Sequence, residues 1–372
     1  MKFTCSKSDL NEALISVYRA VAVKPQTPIL AGIYMKAEGS GLELQANNFA
    51  LGIITKIPVN TEEPGEITVV GKFLLEIIKK LPGETVTISH QTGESVVTIQ
   101  SESAAFTLLA MNAEEFPKVK SQENTQSFKL RISLFKNLIR KTAFSSATGD
   151  NARPIFTGCF LEIIGDKITM AATNTHRLAI MRDTISENLG EMNFIIPAAT
   201  LRDLARIADT SAPDNLVTVD CTEKYIAFTF DNIFMTSRLI EGQFPPYEKV
   251  VPKESNIFAT IKISELRNAV ERVAVISKET EYNTIRFIFT QDGITISSTS
   301  PEVGKAEEHV DAQVTGGDLD ISFNADYFTD ALKVIDGDIC RFAMTKSLAP
   351  IDIREMDNDN FIYVVTPVRT SN

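Results

Sequence analysis

The feature that most constrains this chain is that it repeats itself three times, at a spacing of about one domain. In the first copy the periodicity predicts a helix over Leu10–Val21, a strand over Pro28–Tyr34 and a second helix over Lys72–Leu81. Pro82-Gly83 ends that helix. Short strands are then predicted at Val86–Ile88, Val96–Ile99 and Phe106–Leu109, before the copy closes on Phe116-Pro117-Lys118-Val119. The second copy keeps the order: helix Ser133–Phe144, strand Pro154–Phe160, helix Ala198–Asp209, strands Leu216–Val219 and Tyr225–Phe230, and the closing Phe244-Pro245-Pro246-Tyr247. In the third, helices are predicted over Ser264–Val275 and Asp326–Val334, with strands at Asn283–Phe289, Ile339–Met344 and Phe361–Val365. Phe116 and Phe244 lie 128 positions apart (244 − 116), and Pro154 and Thr284 lie 130 apart (284 − 154).

Two helices among several strands in each copy predict an α+β fold, with the helices on one face of antiparallel sheet. At 372 residues with 44% hydrophobic, the chain is too long for one ordinary core and long enough to bury several. The domains are expected at 1–122, 127–252 and 253–372. The stretches Lys120–Ser127 and Pro252–Asn256 between them are polar, as suits exposed connections.

Several function classes find no support. Cys5, Cys159, Cys221 and Cys340 lie far apart with no CxxC pair and no histidine at zinc-finger spacing, so buried thiols in a reducing cytoplasm are expected, with no metal and no cofactor. The N-terminus lacks a signal-peptide core, and no apolar run approaches the ~20 residues of a membrane span. No P-loop, no GxGxxG after a strand and no HExxH is present; the candidates for catalysis would be Cys159 or Cys221 with His176, or Asp and Glu pairs scattered without a motif, none in the context of a known site. A non-catalytic protein is expected. The 37 basic and 48 acidic residues leave a net charge of −11, so any nucleic-acid surface must be local.

Five strings carry a more specific message: Met1-Lys2-Phe3, Thr27-Pro28-Ile29-Leu30, Ala172-Thr173-Asn174-Thr175-His176-Arg177-Leu178-Ala179, Glu241-Gly242-Gln243-Phe244-Pro245-Pro246-Tyr247 and Tyr363-Val364-Val365-Thr366-Pro367-Val368-Arg369. In their order and spacing over the whole chain they resemble the β subunit family of bacterial DNA polymerase III, the β sliding clamps. Two departures stand out: the family's usual Asp-Gly before His-Arg-Leu-Ala is Asn174-Thr175 here, and the terminal Met-Pro-Met or Leu-Pro-Val string is Thr366-Pro367-Val368.

The resemblance implies three clamp domains per chain, and a head-to-tail homodimeric ring whose helices line a hole for duplex DNA. It implies a processivity factor in DNA replication that binds DNA topologically, without reading sequence. A basic lining would come from Arg19 and Lys24 by the first helix, Lys72, Lys79 and Lys80 on the second, Lys136, Arg140 and Lys141 on the third, and Arg202 and Arg206 on the fourth. Arg267, Arg272 and Lys333 would complete it, with Arg153 beside Pro154 and Ile155 at a DNA-touching position. Lysines and arginines on solvated helix faces are equally ordinary in soluble proteins.

The same resemblance implies a groove for short linear peptides from the polymerase III α subunit, the clamp loader, other polymerases and repair proteins. Its residues would be Phe156, Thr173, Thr175, His176, Arg177, Leu178, Pro245, Lys249, Val250, Val364, Thr366, Pro367, Val368 and Arg369, with Arg177 and Arg369 able to hold polar groups of the peptide. On the residues alone, Val364 and Val365 read as strand core, and His176 as the cap of a turn. The dimer contact would join Phe106 and Leu108 on an edge strand to Val275 and Ile276, with Lys72 near Glu302, Glu307 and Glu308. An interaction scaffold built on the groove alone is the other reading.

Overall fold

Side-chain caps and apolar spacing start and orient the helices. The Ser6 hydroxyl accepts from the Asp9 amide at 3.3 Å and opens α1 (Lys7–Tyr18), which buries Leu10, Ala13, Leu14 and Val17 at the i, i+3, i+4, i+7 spacing of one face. Asn324 caps α6 (Ala325–Val334) through the Asp326 amide at 2.9 Å. Between them lie α2 (Gly71–Lys80), α3 (Ile132–Thr142), α4 (Ala198–Ile207) and α5 (Ile263–Ser277). All six fall within a few residues of the predicted helices. The computed structural model describes residues 1–369 apart from 92, 122, 124 and 357, and gives only the backbone at 210 and 281. Gln122 and Asn124 of the expected first linker, and the chain beyond Arg369, therefore lie outside the described residues.

The segments read as strands from Pro28 and Pro154 are corrected at their first turn. Both begin as 3₁₀ helices, Pro28–Ala31 and Pro154–Thr157, and become strands only at Gly32–Glu38 and Gly158–Ile164. Proline fixes φ for such a tight turn and has no amide to give a ladder.

The chain forms two compact units: Met1–Leu134 with Asp203–Leu239, and Phe135–Arg202 with the chain from Ile240 on. The middle repeat is shared between them. In the first unit a thirteen-stranded sheet includes strand Leu51–Pro58 of the first repeat, paired antiparallel with Ile233–Arg238 of the second. In the second unit, strand Arg177–Thr184 of the middle repeat pairs antiparallel with Asn358–Val365 of the third, within a nine-stranded sheet. A four-stranded sheet, Gly304–Val310, Gly293–Ser300, Thr284–Thr290 and Leu319–Asn324 in spatial order, completes that unit. Helices α1 and α2 pack on each other in the first unit, as α5 and α6 do in the second. Each helix pair thus closes one face of antiparallel sheet.

Among the described residues, no helix is long and apolar enough to cross a membrane, and no group of three or more His, Cys, Asp or Glu is placed to hold a metal ion. All four cysteines are buried and unpaired, and burial pushes each thiol up to about 12.

Candidate functional site

The second unit builds a site from one turn outward. After the strand Lys167–Thr173, the Asn174 side chain accepts from the amides of His176 and Arg177, both at 3.0 Å, and the Thr173 hydroxyl accepts from the Thr175 amide at 3.1 Å. This holds Thr175 at φ 78°, a left-handed conformation that suits the family's usual glycine better than a β-branched residue. The turn presents the exposed His176, and returns as the strand that pairs Arg177 with Val365 and Leu178 with Val364. Thr366 then hydrogen-bonds the His176 carbonyl twice, through its amide and its hydroxyl, each at 2.9 Å.

Beneath the turn lies an apolar cluster of Ala171, Leu178, Ile180, Ile195, Phe244, Tyr247, Ile362 and Val364, with the half-buried Ile155, Phe160, Ile240 and Val251 packed on it. Phe160 stacks on Phe244 with centroids 5.0 Å apart. Leu178 and Val364 are each 3% exposed, so of the expected groove residues these two belong to the buried cluster. Of the other expected residues, Phe156, Pro245, Thr366 and Pro367 are half-buried, and Thr175, Lys249 and Val250 are exposed. The Arg153 guanidinium lies 5.4 Å from the Phe156 ring centre.

Two expectations change. Arg177 does not offer its guanidinium outward: its side chain is 9% exposed, bonded to Asp330 at 2.8 Å and to the Phe144 carbonyl at 2.6 Å, and it lies 4.7 Å from the Tyr327 ring centre and 5.5 Å from that of Phe144. Val368 and Arg369 line a separate, more polar recess of about 1020 Å³, with Tyr282, Arg286, Asp320 and Leu348. The Val368 amide is tied to the Ser322 carbonyl at 2.8 Å, so the terminal segment is built into the unit as far as that residue. Tyr282 and Leu348, 64% and 62% exposed, went unnoticed in the sequence, since a tyrosine held at φ 61° leaves no pattern there.

The predicted basic residues divide by what they touch. In the first unit Lys24, Lys72, Lys79 and Arg206 are exposed and make no ion pair among the described residues; in the second the same holds for Arg153. Arg19 is held by Asp203 at 2.9 Å, and shares with Arg206 a recess of about 380 Å³ that also includes Asp9 and Glu12. Arg140 binds Asp336 and the Val334 carbonyl, and Arg202 donates to the Ala143 carbonyl at 2.9 Å. Arg267 reaches the Leu332 carbonyl and Arg272 is paired with Glu308. Lys136 is half-buried. Lys141 cannot belong to a lining: it is 1% exposed and ion-paired with the buried Glu355.

The expected dimer residues lie on accessible elements. Strand Ala104–Met111 pairs along its length with Val96–Ser101 but with Gly65–Val70 only through Ala110 and Met111, so part of its edge is open among the described residues. Phe106 is 42% exposed, Leu108 half-buried, and Leu109, absent from the expected set, 74% exposed. In the other unit Val275 is exposed and Ile276 half-buried. Glu308 and Glu307 already pair with Arg272 and Lys305, which leaves Glu302 alone of that acidic run without an ion pair among the described residues.

Three family models match in order along the chain: the DNA polymerase III beta subunit N-terminal domain at residues 1–120, the central domain at 129–246 and the C-terminal domain at 248–369. The chain is 32% identical over 381 residues to the beta sliding clamp of Bacillus subtilis (strain 168), and 31% identical over 383 residues to that of Halalkalibacterium halodurans, covering 100% of each sequence in both cases. Among solved structures, the DNA polymerase sliding clamp of Bacillus subtilis matches with a TM-score of 0.92 at 32% identity. A sliding clamp (DNA polymerase III subunit beta) of Pseudomonas aeruginosa bound to griselimycin matches with 0.91 at 29%, and both matches cover 100% of each chain.

Proposed function

Because the chain belongs to the DNA polymerase III β subunit family, whose three domain models it matches from end to end, we propose that two copies close head to tail into a ring around duplex DNA. It is a sliding clamp, a processivity factor of DNA replication with no chemistry of its own. The observation that carries the ring reading is full-length similarity to sliding clamps with all three domains in order. We place the domains at 1–122, 127–252 and 253–372, and the protein in the cytoplasm, where its four thiols stay reduced.

On this reading the exposed cations Lys24, Lys72, Lys79, Arg153 and Arg206, which make no ion pair among the described residues, supply the phosphate attraction. Arg19, Lys136, Arg140, Arg202, Arg267 and Arg272 contribute field while held mainly by protein partners. Phosphate attraction is independent of base identity, so the ring slides. The dimer joint forms between the strand bearing Phe106, Leu108 and Leu109 and the region of Val275 and Ile276, with apolar burial as the main contribution, since exposed ion pairs add only ~0–1 kcal/mol each. The groove around His176, with Leu178 and Val364 as its floor, receives a leucine or aromatic anchor of a short peptide from the polymerase III α subunit, the clamp loader, other polymerases or repair proteins.

Light scattering tests the joint: two chains of 41.0 kDa give about 82 kDa (2 × 41.0), and Leu109→Asp should shift the population to the single-chain mass. Reversing Lys24, Lys72 and Arg153 together to glutamate tests the lining: retention on DNA should fall, most at low salt, where the phosphate attraction is least screened. A single-chain mass for the unaltered protein, or unchanged retention by the triple variant at low and high salt, would remove the corresponding part of the reading.

A further inference from the structure

The turn at the proposed groove has a counterpart in the first repeat, and the two together show what the turn itself requires. In the first repeat the Asn47 side chain accepts from the Phe49 amide at 2.8 Å, where Thr173 accepts from Thr175; Asn48 accepts from Ala50 and Leu51 at 3.1 and 2.9 Å, where Asn174 accepts from His176 and Arg177. Phe49 takes the left-handed φ of 68° that Thr175 takes at 78°. The strand that follows is clasped alike, Arg238 donating to the Ala50 carbonyl at 3.0 Å as Thr366 does to that of His176 at 2.9 Å. At the position of Arg177 this copy has Leu51, 7% exposed. The turn therefore forms without an arginine, and the network on Arg177 is an addition that the turn itself does not need.

That network reaches across three elements of the second unit. Asp330 on α6 accepts from one guanidinium nitrogen of Arg177 and the Phe144 carbonyl from another, while Nε is buried without a hydrogen-bond partner among the described residues. The Tyr327 ring, one helical turn before Asp330, lies against the guanidinium and stacks on the His176 ring at 6.4 Å and 16°. Lys333 is the other cation near Asp330, 3.9 Å away and exposed. The charge of Asp330 is thus spent on an almost fully buried cation that sits between the exposed His176 and the floor residue Leu178.

We propose that Asp330 is a positioning residue for the peptide groove: by holding the Arg177 guanidinium it fixes the wall that His176 presents and the floor that Leu178 forms, without touching the peptide. The inference rests on the groove reading above. A guanidinium that loses its anion leaves a mobile wall, and a bound peptide must then order what was previously fixed.

The test uses the full-length protein and a fluorescein-labelled pentapeptide with a leucine and a C-terminal phenylalanine, followed by fluorescence anisotropy. Asp330→Asn should weaken binding about tenfold while the thermal midpoint stays close to that of the unaltered protein, and Asp330→Glu should recover most of the affinity. Phe156→Ala and His176→Ala test the groove directly. If these two lose binding and Asp330→Asn does not, the positioning role is overturned and the groove stands. If none of the three affects binding, the groove reading and this inference fall together. If Asp330→Asn and Asp330→Glu weaken binding equally and both lower the thermal midpoint sharply, Asp330 serves only the fold and the proposal is wrong.

Discussion

Replacing Lys141 with methionine keeps an unbranched side chain, one atom shorter, and removes one charge from the interior of the second unit. The Lys141 ammonium is 1% exposed, ion-paired with Glu355 (6% exposed), 2.9 Å from the half-exposed Asp336 and 4.8 Å from the Phe361 ring centre. Without it, the Glu355 carboxylate keeps two donors, the Asp336 amide at 2.8 Å and the Asn358 side chain at 2.7 Å, but has no cation. Removing one partner of a buried pair destabilises by about 3–5 kcal/mol, and the two surviving donors place this site near about 3. Replacing both charges at once, in Lys141→Met with Glu355→Leu, leaves no orphaned anion and should recover most of that loss. All of these residues belong to one unit, so hydrogen exchange should show faster opening of the second unit and an unaltered first. Guanidinium unfolding, followed by circular dichroism because the chain has no tryptophan, gives the magnitude. A loss below about 1 kcal/mol in the single variant, or a double variant as unstable as the single, would refute the reasoning.

Three further outcomes follow from the geometry. With thiols buried and raised to about 12, Cys5, Cys159, Cys221 and Cys340 should resist a thiol reagent at pH 8 and all react once guanidinium unfolds the chain; rapid labelling of the native protein would contradict their placement. Thr175→Gly should stabilise by about 0.5–1 kcal/mol in thermal unfolding, because relief of the φ of 78° exceeds the added chain entropy of glycine, and a destabilised variant would count against the strain. Burial raises the Asp336 carboxyl, but hydrogen bonds and charge from Arg140 and Lys141 outweigh it and hold the group below its ordinary 3.8, while Arg272 holds Glu308 below 4.5. Such depressed carboxylates contribute stability that is complete above those ordinary values and is lost as pH falls through the lowered ones. Acid unfolding should therefore set in below about pH 4, with Asp336→Asn flattening that limb; an unchanged limb would remove Asp336 from the account.

Part of the fold was legible because it rests on local periodicity: all six helices, and strands such as Val96–Ser101 and Tyr225–Phe230, follow from apolar spacing and from breakers such as Pro82-Gly83, whereas strands such as Gly41–Asn47, Lys167–Thr173 and Gly293–Ser300 were not read. What stayed hidden depends on long-range pairing. Nothing near Leu51 or Ile233 announces that their strands join, so the sharing of the middle repeat between two compact units could not be read from either segment. Lys141 misled for a related reason. A lysine in the last turn of an amphipathic helix looks solvated, and it is Glu355, 214 positions later, together with Asp336, that makes its burial tolerable. The His-Arg-Leu string lies on a hydrogen-bonded turn, whereas the contacts of its arginine could be seen only once Asp330, on another element, stood beside it.

The most direct measurement follows the labelled protein, loaded by its clamp loader on nicked circular DNA, before and after the circle is cut at one site. A ring held by topology stays on the intact circle through a salt wash, and runs off the ends once the DNA is linear. Equal retention on both forms would mean that the protein grips DNA rather than encircling it, and the account of a sliding ring would be wrong.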